Sequence, residues 1–303
     1  MANNSLDYNW QDWRCTYSVS GNSNSQTVPL VLIHPVGVGL SRKFWQRFTD
    51  EWLSQNPDSL IYNPDLLGCG AGDMPAIAYY PIDWAKQLEY FMRTIVQQPV
   101  ILLVQGASLP IAIKLTQLLP AAQIKGLVLS APPAWRTMTD EAKPRQQKLL
   151  WNVLFDSPLE LGNLFYRYAR RRQFLESFSI RQLFAEPQQV DRQWLDELIT
   201  GSENMQSRYA VFSFLAGFWR ENYGQAIAKI QQPTLVVFGE QSSSISREGK
   251  AETVPERLAA YTAQLSQGEG CVIPGRNVLP YESTKEFVRV VNNFWQQYRL
   301  ISN

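Results

Sequence analysis

The stretch Val100-Ile101-Leu102-Leu103-Val104-Gln105-Gly106-Ala107-Ser108-Leu109-Pro110 decides the reading of this chain. Its first five residues are an unbroken aliphatic run of strand length, as expected of a strand buried on both faces. Gly106, Ala107 and Ser108 are small, and Leu109 to Leu119 carry an apolar helical pattern closed by Pro120. A strand that turns sharply into a helix, with serine at the apex, puts a hydroxyl where a nucleophile could sit. A serine attacks a carbonyl only with a base at hand. The sequence holds one histidine, His34, upstream of Ser108 in an expected loop. The bland alternative for Ser108 is a helix N-cap.

Outward from this stretch, short aliphatic or β-branched runs bounded by turn residues predict further strands. They are Cys15–Val19, Leu30–His34, Ser59–Asn63, Gly126–Ser130, Thr234–Phe238 and Gly270–Ile273. Amphipathic helices are expected over Phe44–Leu53, Ile82–Val96, Leu109–Leu119 and Thr284–Tyr298. Strands alternating with helices imply an α/β fold, a mostly parallel central sheet with helices on both faces. The alternation stops between Trp135 and Ile230. That stretch is helix-like throughout: Gln147–Phe155, Leu161–Phe174, Gln193–Ile199 and Arg208–Trp219.

Five loops, in order, resemble the α/β-hydrolase family. The elbow around Ser108 is the first, with Pro110 where the family usually has glycine. The second, Leu32-Ile33-His34-Pro35-Val36-Gly37, is similar to the family's His-Gly loop, with Pro35 in place of that glycine. The third, Asn63-Pro64-Asp65-Leu66-Leu67-Gly68, resembles the aspartate-glycine loop, and Asp65 is expected to be a loop-bracing acceptor. The fourth, Phe238-Gly239-Glu240-Gln241-Ser242, has Ser242 where the family carries its acid. The fifth, Gly275-Arg276-Asn277-Val278-Leu279-Pro280, has Val278 where the family carries its histidine. Asn277 stands in for a glycine there and is expected to take a positive φ. The His-Pro variant is similar to hydrolase-like proteins of photosynthetic organisms.

The resemblance implies an α/β-hydrolase core over residues 1–134 and 231–303, and a helical cap over 135–230. It implies oxyanion donors at the backbone N–H groups of Val36 and Leu109, and a pocket bordered by His34, Pro35 and Trp135. The triad is degraded at two of three positions. Losing the base of a serine hydrolase costs roughly six orders of magnitude in turnover, or about 8 kcal/mol of barrier. Ser108 is then a doubtful nucleophile. The expectation is a binding or interaction module for an apolar ligand or a protein partner. The alternative is a slow serine esterase, lipase or thioesterase using Ser108 with His34 as an unusual base.

Bulk composition narrows the remaining classes. Lys and Arg total 28 against 27 Asp and Glu, a formal charge of +1, which argues against nucleic-acid binding. Cys15, Cys69 and Cys271 are widely spaced and form no zinc motif or disulfide framework. No metal or cofactor is expected, and a reduced, cytoplasmic setting fits best. No apolar run is long enough to span a bilayer. Peripheral membrane association stays open. The segment 135–230 is rich in aromatics, from Trp135 and Trp151 to Phe218 and Trp219. They serve as the cap's own core or as walls of an apolar ligand cavity. Arg170, Arg171 and Arg172 form a basic patch, either a solvated face or a site for an acidic partner or lipid head group.

Overall fold

The computed structural model describes residues 5–155, 161–246 and 249–299. The strands are β1 (Leu6–Trp10), β2 (Trp13–Gly21), β3 (Leu30–Ile33), β4 (Leu60–Pro64), β5 (Val100–Gln105), β6 (Ile124–Ser130), β7 (Thr234–Gly239) and β8 (Gly268–Ile273). Among the described residues they form one sheet in the order β1-β2-β4-β3-β5-β6-β7-β8. The β1–β2 and β2–β4 pairs are antiparallel, and β4, β3, β5, β6, β7 and β8 run parallel. The α-helices are α1 (Gln46–Gln55), α2 (Pro81–Phe91), α3 (Leu109–Leu118), α4 (Trp135–Thr139), α5 (Pro144–Phe155), α6 (Leu161–Ala169) and α7 (Arg172–Phe178). They continue with α8 (Arg192–Gly201), α9 (Arg208–Leu215), α10 (Gly224–Ala228), α11 (Val254–Gln264), α12 (Leu279–Glu282) and α13 (Thr284–Tyr298).

Side chains alternate across a strand, so a sheet covered on both faces divides each strand between two cores. Val100, Leu102 and Val104 of β5 enter one core with Val31, Ile33, Leu127, Leu129, Val236 and Phe238, and with residues of α2, α3 and α11. Ile101 and Leu103 enter the other with Leu30, Leu32, Val128, Leu235 and Val237, and with residues of α1 and α13. The unbroken apolar runs follow directly from this two-sided burial.

Some expectations change. The first strand, β1, pairs Trp10 with Trp13 across a tight turn in which Gln11 has φ 55°. The helix expected over Leu161–Phe174 is two, broken where Arg171 is extended (φ −69°, ψ 139°). There the Arg170 guanidinium donates to the Ser202 and Glu203 carbonyls, at 3.1 Å each. No described helix is long and apolar enough to cross a membrane.

Helices α4 to α10 lie between β6 and β7 in the chain, and α8 meets the loop at the carboxyl end of β3. Gly39, after β3, has φ 74°, and a Cβ on it would strike the backbone of Leu198 in α8. Gly201, at the end of α8, is likewise too close to the Gly39 carbonyl for a Cβ. Asn277, after β8, makes a second contact with the helical stretch: its backbone N–H donates to Leu183 O at 3.0 Å and its Nδ2 to Gln182 O at 2.7 Å.

Candidate functional site

The site is built at the carboxyl edge of the sheet, where open α/β sheets place their ligands. The β5 strand ends at Gln105, paired with Ser130 at the end of β6. The chain then turns through Gly106, the left-handed residue of the turn (φ 56°). A Cβ there would meet nothing closer than Ala131 O at 3.9 Å. Ser108 comes two residues later in ordinary right-handed helical geometry (φ −81°, ψ −2°), and α3 begins immediately after it, with Pro110 in the first turn. The backbone summit of this turn is therefore Gly106, and the expected apex, Ser108, is displaced from it. The reason is steric: glycine adopts a left-handed conformation at no Cβ cost, while serine and proline are suited to a helix start.

Ser108 is 1% exposed. Its Oγ donates to the backbone carbonyl of His34 at 2.8 Å. Its side chain makes no N-cap bond to α3. The Leu109 N–H, expected in an oxyanion hole, donates to Gly106 O within the turn. Val36 is buried in the loop after β3, in the same core as Ile33.

His34 is fully buried. Its Nδ1–H donates to Pro35 O at 2.8 Å, and its Nε2 accepts from the Leu66 N–H at 3.0 Å. This pattern fixes the neutral Nδ1–H tautomer and joins the β3 loop to the β4 loop. Burial holds the imidazole below its ordinary pKa of 6.5, against a smaller opposing pull from the Asp65 charge and the Pro35 bond. The folded imidazole refuses a proton that the unfolded chain accepts. Its contribution to stability is fully present above about pH 6.5 and is lost as pH falls toward the lowered folded value. Wild-type protein is expected to lose stability as pH falls below 6.5, the slope rising toward about 1.4 kcal/mol per pH unit once the unfolded imidazole is mostly protonated. Urea denaturation across this range checks it, and His34→Gln removes this part of the slope.

The two substituted triad positions are engaged in loop bonding or apolar packing. Ser242 Oγ accepts from the Gly239 N–H at 2.9 Å and donates to Arg276 O. Val278 is 4% exposed and packs in the core that holds α1 and α13. Asn277 does not take a positive φ; Gly275 does (φ 124°). Asn277 instead spends its amide on neighbours, donating to Gln182 O and Ser243 O and accepting from the Ser243 N–H at 3.3 Å. Its carbonyl accepts from Gln105 Nε2 at 2.7 Å.

Sequence reasoning did not find Glu282. Its carboxylate accepts from the N–H groups of Arg276 (2.7 Å), Val278 (3.2 Å) and Ala185 (2.9 Å), so it ties the β8 loop to the helical insertion. Burial pushes its carboxyl above the usual range, while these N–H groups pull the other way. The signal was a glutamate four residues after Val278, in position to receive the free N–H groups at the start of a short helix.

Two buried polar atoms at this edge, Gln105 Oε1 and Ser130 Oγ, have no hydrogen-bond partner among the described residues. Ala131, next to Ser130, is left-handed despite its Cβ (φ 42°). Backbone strain of this kind concentrates at ligand sites. Trp135, expected at the pocket, donates its N–H to Glu252 at 2.8 Å and packs edge-on against Tyr261, ring centroids 5.2 Å apart. Pro35 is half-buried beside His34. The aromatics of the insertion largely pack on one another: Trp151 on Phe155 and Phe218, Phe155 on Tyr209, and Tyr166 on Phe212. A surface pocket of about 360 Å³ lies elsewhere, walled by Trp10, Trp13, Tyr79, Tyr80 and Trp84. Of the basic patch, Arg172 pairs with Asp196 at 2.6 Å and Arg171 sits 5.8 Å from the Tyr168 ring. Among the described residues no group of three or more His, Cys, Asp or Glu could hold a metal ion.

Comparisons with known proteins agree with this architecture. No curated protein sequence matches the chain. A serine hydrolase involved in carbazole degradation superimposes with a TM-score of 0.73 at 16% identity, covering 98% of this chain and 100% of the other. A bromoperoxidase from Bacillus anthracis gives 0.73 at 13% identity, covering 97% and 100%. An esterase from Thermogutta terrifontis gives 0.70 at 14% identity, covering 97% and 99%. At these identities the likeness concerns the fold. The sequence model of the alpha/beta hydrolase family matches residues 30–290. The chain belongs to the alpha/beta hydrolase family.

Proposed function

We propose that this chain is a non-hydrolytic member of its family that uses the carboxyl edge of its sheet as a binding site. Residues 1–134 and 231–303 form the core in this reading, and residues 135–230 act as a cap. One observation carries it: the Ser108 hydroxyl is given to a backbone carbonyl, and both nitrogens of the sole histidine are committed elsewhere. No imidazole is left to take a proton from that hydroxyl. The unpartnered Gln105 Oε1 and Ser130 Oγ and the strained Ala131 support binding at the same corner. A ligand that is mainly apolar and carries one polar end suits these two atoms and the apolar side chain of Val278.

The test is labelling of folded protein with a fluorophosphonate probe at neutral pH, together with hydrolysis of short-chain p-nitrophenyl esters. The expected result is no labelling and equal background rates for wild type and Ser108→Ala. Labelling at Ser108, with turnover abolished in Ser108→Ala, overturns the reading. That outcome would establish the second reading, a slow esterase, which the names of the superimposable hydrolase and esterase favour.

A further inference from the structure

Helix α5 buries none of its side chains fully. Leu149, Leu150 and Val153 share one of its faces and are 64%, 46% and 42% exposed. The neighbouring helix α6 does the same with Leu161, Leu164 and Tyr168, at 44%, 58% and 53%. The two helices pass close together, since a Cβ on Gly162 of α6 would strike Leu154 O of α5. Six large apolar side chains are thus turned outward on adjacent helices. Isolated exposed leucines need no explanation, but a concentration of this kind marks an interaction surface.

Within these two helices the charge has one sign, although the sequence between them carries Asp156 and Glu160. Helices α5 and α6 contain Arg145, Lys148 and Arg167 and no acidic residue. On a 3.6-residue turn, Arg145 and Lys148 flank the Leu149–Val153 stripe, and Arg167 flanks Leu164 and Tyr168. Among the described residues none of these three carries an ion pair, unlike Arg172 with Asp196. Apolar side chains with a basic flank and no acids are the composition of a helix that lies in a bilayer interface.

We propose that the outer face of α5 and α6 docks on an anionic lipid bilayer. Leu149, Leu150, Val153, Leu161 and Leu164 enter the acyl boundary, and Arg145, Lys148 and Arg167 meet the phosphate and carboxylate head groups. The surface lies on the outside of the insertion and does not depend on the reading of Ser108.

Cosedimentation of the full chain with phosphatidylcholine vesicles, with and without phosphatidylserine, tests this. Wild-type protein is expected to bind the anionic vesicles and to leave them at high salt. Arg145→Gln with Lys148→Gln should weaken binding roughly 25-fold, about fivefold for each charge removed. Leu149→Glu with Leu164→Glu should abolish it with unchanged circular dichroism, because both sites are exposed. Failure of wild type to bind anionic vesicles overturns the proposal. So does a dimer in sedimentation that dissociates in the Leu149→Glu, Leu164→Glu variant, which would assign the face to a second copy of the chain.

Discussion

Replacing Asp65 with alanine is expected to cost about 3–5 kcal/mol of folding stability, the range for removing one member of a buried ion pair. Asp65 is 2% exposed. Its carboxylate accepts from the Thr16 hydroxyl (2.7 Å), the Arg42 N–H (2.9 Å) and the Ala71 N–H (3.2 Å), and pairs with the Arg42 guanidinium. It joins four segments: β2, the turn before α1, its own loop after β4 and the glycine turn at Gly70. That turn has no room for a side chain, since a Cβ on Gly70 would overlap the Asp65 carboxylate. Alanine at position 65 leaves the Arg42 charge half-stranded and two backbone N–H groups unpaired. Urea denaturation of Asp65→Ala checks the loss. An effect below about 1 kcal/mol, the value of a surface ion pair, contradicts the assignment.

Glu282→Ala is expected to cost about 3 kcal/mol, because three backbone N–H groups lose a charged acceptor and Glu282 is only partly buried. The loss should be local in character. Hydrogen exchange at Arg276, Val278 and Ala185 should quicken together, since one carboxylate serves all three. Glu282→Gln keeps one acceptor oxygen and should recover most of the protection at Arg276 and Val278. If alanine leaves the exchange of Ala185 unchanged, the link between the β8 loop and the insertion does not run through this side chain.

Much of the fold was legible because two-sided burial leaves a strong mark. A strand such as β5, aliphatic from Val100 to Val104 and buried at every position, has few other places to go. The last helix was found at its observed ends because Phe287, Val288, Val291, Phe294 and Trp295 recur at helical spacing. Other elements were missed for identifiable reasons. Strand β1 alternates, with Tyr8 and Trp10 inside and Asp7 and Asn9 outside, but only over five residues. Helix α11 has weak apolar periodicity, although Thr253 and Glu256 form a capping box that announces its start.

The candidate site was legible as a set of loops and less so as chemistry. The positions of Ser242 and Val278 could be read, but their partners could not. Whether a serine faces a base or a carbonyl depends on distances between residues far apart in sequence. His34 and Ser108 illustrate this: the contact is with the backbone oxygen of the histidine, which any residue type would supply. Glu282 escaped notice because its place four residues after Val278 is a faint mark, and one of its partners, the Ala185 N–H, lies 97 residues away in the chain.

At Gly106 the sequence pattern and the backbone part company. A search keyed to a serine shortly after an aliphatic strand selects Ser108, whereas the left-handed crest of the backbone lies two positions earlier. Hydrogen is all that projects from that crest, and no acyl group can be carried on hydrogen. Placing a hydroxyl there would mean forcing a Cβ into a conformation that glycine holds without strain.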